Sequence, residues 1–198
     1  MPESFLMEHV DRLLTSFSSL VGQDLILRHG NIEEQAHALF HTPRVIVSHG
    51  IEDDPILNYG NKVALCLWEM TWDELVRTPS RKTAEPINRA ERAQLLTRTR
   101  QNGYINDYSG VRISKTGKRF KINRAIVWNI SDAHGQYCGQ AATFDTWQFM
   151  TTQARSDVNL DIQLLFFGPL SRKSRAYITE KHTENFCCPC FHMGLVSS

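Results

Sequence analysis

Apolar residues recur at helical spacing from the start of the chain. Leu6, Val10, Leu13, Leu14, Phe17 and Val21 share one face, which predicts a helix from Phe5 to about Val21, stopped at Gly22. A shorter helix is expected from Asn31, with Glu34 at capping-box spacing and Ala36, Leu39 and Phe40 turned inward; Pro43 ends it. The rhythm then shortens. Val45–Ser48 and Ile56–Tyr59 read as strands around the turn-forming stretch His49-Gly50-Ile51-Glu52-Asp53-Asp54-Pro55. Asn61 opens a helix carrying Val63, Ala64, Leu65, Leu67 and Trp68, and Thr71 with Glu74 opens another over Trp72–Val76. After an irregular bridge from Pro79 to Pro86, Asn88 and Glu91 are expected to cap a longer helix that ends at Gly103. Three strands follow, Ile105–Ser114, Phe120–Trp128 and Tyr137–Phe144. Uninterrupted alternation puts Phe120, Ile122, Ile126 and Trp128 on one face, toward the helices.

This order predicts an α+β domain over residues 1–149: a five-stranded antiparallel sheet with helices packed on one face, plus the N-terminal helix. The N-terminal apolar stripe lies outside that core and is the natural candidate for a partner surface. Residues 150–198 lose periodicity, and their composition predicts a disordered polar tail. The length, 198 residues, suits one domain with an appendage.

Composition narrows the function. Lys plus Arg is 22 against 21 acids, so the balanced charge argues against a dedicated nucleic-acid binder. No apolar run reaches the roughly 18 residues of a membrane helix. The five cysteines are odd in number and two are adjacent, against a disulfide framework, and the acidic N-terminus does not read as a signal peptide; a reduced, cytoplasmic setting is expected.

The sequence also carries a family resemblance. It rests on Ser48-His49-Gly50, Asp54-Pro55-Ile56, Asn58-Tyr59-Gly60-Asn61, Trp72-Asp73-Glu74-Leu75, Tyr108-Ser109-Gly110-Val111-Arg112-Ile113-Ser114, Gly117-Lys118-Arg119-Phe120, Val127-Trp128-Asn129 and Gly139-Gln140-Ala141-Ala142-Thr143-Phe144. Together these blocks resemble the MEKHLA domain, a PAS-like family, over roughly residues 5–149. The resemblance implies a sensory or regulatory module. Such a module binds a small ligand or answers redox state, and signals through a second copy or a regulatory protein. It implies no catalytic residue set and names no cofactor. DNA binding by the plant transcription factors that carry this domain is not implied, because their homeodomain and zipper regions have no counterpart in these residues.

Several residue groups invite chemical readings. In a PAS-like fold Trp68, Trp72, Leu96, Phe120, Trp128 and Phe144 are candidates to line a pocket between sheet and helices, against the alternative of plain core packing. A pocket near 300 Å³ would favour ligand binding, and a filled interior a pure protein-interaction domain. A third alternative is a small enzyme on the same fold. His49 with Asp53 and Asp54 holds metal-binding donor types, but this stretch reads more simply as a turn. Ser48-His49 lacks a nucleophile elbow, and the glycines of Gly135–Gly139 read as turn and close-packing positions. Arg112, Lys115, Lys118, Arg119, Lys121 and Arg124 form a basic hairpin, read as a solvated face or as a site for an anion or acidic partner. Cys187, Cys188, Cys190 and His192 match a Cys₃His zinc donor set at poor spacing.

Overall fold

A computed structural model describes residues 3–150. The zinc candidates Cys187, Cys188, Cys190 and His192, and all but the first residue of the predicted tail, lie outside the described residues. The chain runs α1 (Glu3–Val21), α2 (Ile32–His41), β1 (Val45–His49), β2 (Leu57–Gly60), α3 (Lys62–Trp68) and α4 (Trp72–Leu75). Two 3-10 turns, Ser80–Thr83 and Pro86–Asn88, occupy the irregular bridge. Then come α5 (Arg89–Asn102), β3 (Tyr104–Ile113), β4 (Arg119–Ser131), β5 (Tyr137–Phe144) and β6 (Thr146–Phe149). All pairings are antiparallel, in the order β2-β1-β5-β4-β3, with β6 continuing β5 along β4. The α+β sheet with helices is therefore as expected, with β6 as an addition. It is only four residues long and is set off from β5 by the single residue Asp145.

The expected caps form at most helix starts. Asn31 and Glu34 bond reciprocally at 2.9 and 2.8 Å, and Thr71 and Glu74 at 3.4 and 3.0 Å. Asn61 does more than cap α3. Fully buried, its Oδ1 accepts from the Ala64 and Ile46 amides, and its Nδ2 donates to the Arg44 and Thr42 carbonyls. Asn88, by contrast, does not cap α5. It sits at φ −98°, ψ 2° at the end of the preceding 3-10 turn, not in the extended geometry that a capping side chain needs.

The expected alternation in β4 breaks. Phe120 and Ile122 are followed on the same face by Ala125 and Val127, a three-residue step across Asn123 and Arg124. Pairing with β3 shifts there too, and Arg124 takes φ 51°. The matching step in the partner strand falls at Asp145, between Phe144 and Trp147, whose rings sit 6.1 Å apart. Ile126, Trp128 and Ile130 consequently face the other way, onto α1. Trp128 does not share the face of Phe120 as uniform alternation implied.

The sheet thus has two covered faces. On one, Val10, Leu13, Leu14 and Phe17 of α1 pack on Trp128, Ile130, Ile46 and Tyr59. Phe17 meets Trp128 edge-on at 4.9 Å, and the Trp128 indole donates to Ser16 Oγ at 3.2 Å. The α1 stripe is at most 1% exposed at these four positions, so it is spent inside the fold and is not the partner surface its amphipathicity suggested. The reason is the step in β4, which gives this face a large apolar surface that must be covered. His9 and Ser48 add a buried polar contact at 2.9 Å, and Ser48 donates to Asn58 Oδ1 at 2.6 Å. Burial, with Arg12 nearby, pushes the His9 imidazole down to about 4, so it is neutral in the fold at pH 7.

The left-handed conformation at Arg124 makes a direct test. Arg124→Gly should leave stability unchanged or raise it, because glycine adopts that conformation without steric cost. Arg124→Val should lose about 1–2 kcal/mol in urea unfolding, because a β-branched residue resists positive φ. Equal stability of the two variants would mean that β4 runs through without the step.

Candidate functional site

The second face of the sheet does not close completely. The strands present Val47, Ala125, Val127, Ala142 and Phe144, and α3, α5 and the first 3-10 turn lie across them. Between these layers is a cavity of about 70 Å³. Trp68, Leu95, Leu96 and Ile122 add to its apolar wall, while Ser80, Thr83, Arg92, Tyr108 and Arg112 supply polar groups. The size falls well short of the 300 Å³ expected of a typical ligand pocket, yet the interior is not filled. Leu96 also borders an open groove of about 340 Å³, lined by His49, Glu52, Arg100, Tyr137 and Gln140 among others. Leu96 on α5 thus borders both the cavity and the groove.

The six aromatic and aliphatic candidates divide. Trp68, Leu96 and Phe144 line the cavity. Phe120 packs behind it, 5.5 Å from the Trp68 ring. Trp128 lies on the α1 face because of the step in β4. Trp72 also belongs to that cluster, edge-on to Tyr59 at 5.9 Å, because α4 follows β2 to the edge of the sheet and turns Trp72 toward Tyr59. The cavity's polar members, Arg92, Ser80, Thr83 and Tyr108, escape sequence reading. They come from a polar helix, an irregular bridge and a strand, with no shared spacing.

The hairpin's charges also divide. Lys115 pairs with Glu74 at 2.6 Å, Lys118 with Glu69, and Arg119 with Glu85 at 3.0 Å. These bonds tie the β3–β4 turn to α4, to the end of α3 and to the bridge, and of these α3 and the first 3-10 turn roof the cavity. Burial acts to raise the Glu69 carboxyl, but hydrogen bonds from Lys118, Thr116 and Ser114 outweigh it and hold it near 2. Lys121 and Arg124 are exposed. Arg112 departs from the solvated-face reading, because its position opposite Phe120 turns it inward, where it is buried.

The remaining candidates stay apart. Ser48 and His49, adjacent on β1, point to opposite faces, Ser48 to His9 and His49 to the groove. His49 Nδ1 lies 2.9 Å from the Gly50 carbonyl, and burial lowers the imidazole's affinity for a proton. Asp54 binds Arg81 at 2.9 Å and Glu52 accepts the Ile56 amide, so the turn is held by Glu52 rather than by the two aspartates. No group of three or more His, Cys, Asp or Glu among the described residues is placed to hold a metal ion. Gly139 is a close-packing position: at φ 138° a Cβ there would stand 2.0 Å from the His49 carbonyl oxygen.

Two adjacent alanines on β5 test the asymmetry of the faces. Ala142 borders the cavity and Ala141 meets the α1 cluster. Ala142→Val should cost less than about 1 kcal/mol in urea unfolding, because there is space to fill, whereas Ala141→Val should cost about 1–3 kcal/mol by overpacking. The reverse order would show that the cavity face is the filled one.

Among solved structures, the chain is similar to a PAS domain from Colwellia psychrerythraea, with 16% identity, a TM-score of 0.49, and coverage of 61% of this chain and 97% of that one. It is also similar to a light-oxygen-voltage domain studied with a flavin analogue (15% identity, TM-score 0.45, covering 60% and 85%) and to the fungal blue-light photoreceptor Vivid (12% identity, TM-score 0.46, covering 66% and 88%). No curated protein matches it. The MEKHLA domain family model matches residues 7–149, from within α1 to the last residue of β6. A match that spans both sheet faces and the whole wall of the cavity leaves one conclusion: the chain belongs to the MEKHLA domain family.

Proposed function

We propose that this protein is a non-catalytic sensory or regulatory module that binds a small molecule in the cavity between the sheet and α5, and passes the change to a protein partner. The observation that carries this reading is the cavity itself. It is an apolar space with a few convergent polar groups, in a core whose other face is closely packed. Its size restricts the ligand. By the measure in which one water needs ~10–15 Å³, a cavity of 70 Å³ holds a molecule of roughly five to seven heavy atoms. A flavin is far larger than this space and does not enter the reading. A redox response is less favoured, because the cysteines among the described residues, Cys66 and Cys138, do not line the cavity.

The partner surface passes from α1, whose stripe is covered, to α5. Leu95 and Leu96 of α5 touch the cavity, while Glu91, Ala93, Gln94, Thr97 and Arg98 are exposed. A ligand that shifts α5 would be felt on that outer surface.

Native mass spectrometry of the purified full chain tests the reading. A small noncovalent adduct, one per chain, is expected in the natural sequence and should be lost in Ala142→Leu, which fills the cavity. A bare mass in both proteins, or the same adduct in both, would contradict it.

A further inference from the structure

Two residues that line the cavity are arginines, and neither has a carboxylate within ion-pair distance among the described residues; Asp54, paired with Arg81, acts on Arg92 only from farther off. Arg112 is only 7% exposed. Its Nη1 donates to the Val111 carbonyl at 2.9 Å, and its guanidinium carbon lies 5.1 Å from the centre of the Tyr108 ring. Arg92, half-buried on α5, donates from Nη2 to Ser80 Oγ at 2.9 Å. A guanidinium has five N–H donors, so most of the donors on both heads are unused by the protein. Burial, then the charge of Arg112, draws the Arg92 guanidinium down to about 10, which leaves it cationic at neutral pH.

More exposed arginines of the fold take acids: Arg28 with Asp11 at 2.8 Å, Arg81 with Asp54 at 2.9 Å, Arg119 with Glu85 at 3.0 Å. The pair beside the cavity does the opposite. Two like charges face one apolar space, where an unpaired charge is costly and an anion between them would be strongly held. Paired guanidinium forks match the planar oxygens of a carboxylate. Of the other polar groups in the wall, Ser80 Oγ already accepts from Arg92 and Thr83 Oγ1 donates to the Ser80 carbonyl at 2.7 Å, which leaves Tyr108; the remainder, including Val47, Ile122, Val127 and Ala142, suits a hydrocarbon better than an anion with oxygens on every side.

We infer that the cavity is a receptor site for a short-chain monocarboxylate, with the carboxylate bridging Arg92 and Arg112 and the hydrocarbon tail lying on the strands. This rests on the ligand-binding reading above and names its ligand class. The cavity thereby uses the anion alternative of the basic hairpin through Arg112, while Lys115, Lys118 and Arg119 serve the roof.

Isothermal titration calorimetry on the full chain at pH 7 and constant ionic strength tests the inference, with butyrate as probe and butyramide and inorganic phosphate as controls. Butyrate should bind one per chain, butyramide about tenfold or more weakly, and phosphate should not displace butyrate. Arg112→Gln and Arg92→Gln should each weaken butyrate by about tenfold or more and leave butyramide unchanged. Should Arg112→Gln fail to fold, Arg92→Gln, at a half-exposed helix position, carries the same comparison. Equal affinity for butyrate and butyramide, or butyrate binding unmoved by the arginine variants, would overturn the carboxylate assignment and leave the small-ligand reading standing. Tighter binding of phosphate would overturn it in favour of an inorganic anion. No binding of butyrate or butyramide would overturn this inference, while the native mass measurement decides the broader reading separately.

Discussion

The three-residue step in β4 at Asn123–Arg124 is the constraint on which the rest of the molecule depends. β4 is the longest strand of the described residues and lies inside the sheet, with β3 on one side and β5 followed by β6 on the other. Its first half sends Phe120 and Ile122 toward α3, and its second half divides its large side chains between two faces. Without the step, Trp128 and Phe120 would crowd one side, and α1 would lose its largest contact. A left-handed non-glycine residue costs about 1–2 kcal/mol. Arg124 can bear that because it is exposed, and its amide still finds a partner in Ser109 Oγ at 3.2 Å. What the step gives in return is a sheet that is packed on one face and open to a cavity on the other.

The roof of the cavity is held from its edges more than from its middle. Asn61, with all its side-chain bonds made, fixes the start of α3 to β1 and to the end of α2. Glu69, left-handed at the end of α3, gathers Ser114, Thr116 and Lys118 from the β3–β4 turn. Exposed ion pairs of this type contribute little to stability one by one. Their effect is positional: they keep α3 and the bridge over the strands, so that the space beneath keeps its shape. α5 buries Leu95 and Thr99 and is tied to the sheet by hydrogen bonds from Gln140 to the Leu96 carbonyl and from Asn129 to the Arg100 carbonyl.

Much of this was legible in the sequence. Helical spacing announced α1, the Asn31–Glu34 and Thr71–Glu74 pairs announced two caps, and alternation with glycine turns announced three long strands. The family blocks announced a PAS-like sheet. The sequence was silent where local patterns stop controlling geometry. Arg124 carries no mark of a positive φ, so period-two reading carried Trp128 to the wrong face. The apolar stripe of α1 said that it must be buried but not against what. Trp68, Leu96 and Phe144 were placed on the cavity by analogy with the fold, whereas Arg92 and Arg112 lie twenty positions apart on a helix and a strand, and only tertiary packing shows that they share a space.

The central claim is a division of labour between the two sheet faces, and methyl NMR addresses it most directly. Titration of the labelled full chain with butyrate should shift the methyl signals of Val47, Leu95, Ile122, Val127 and Ala142, and leave those of Val10, Leu13, Leu14, Ile130 and Ala141 in place. Shifts centred on the second group, or spread evenly over both, would contradict the account.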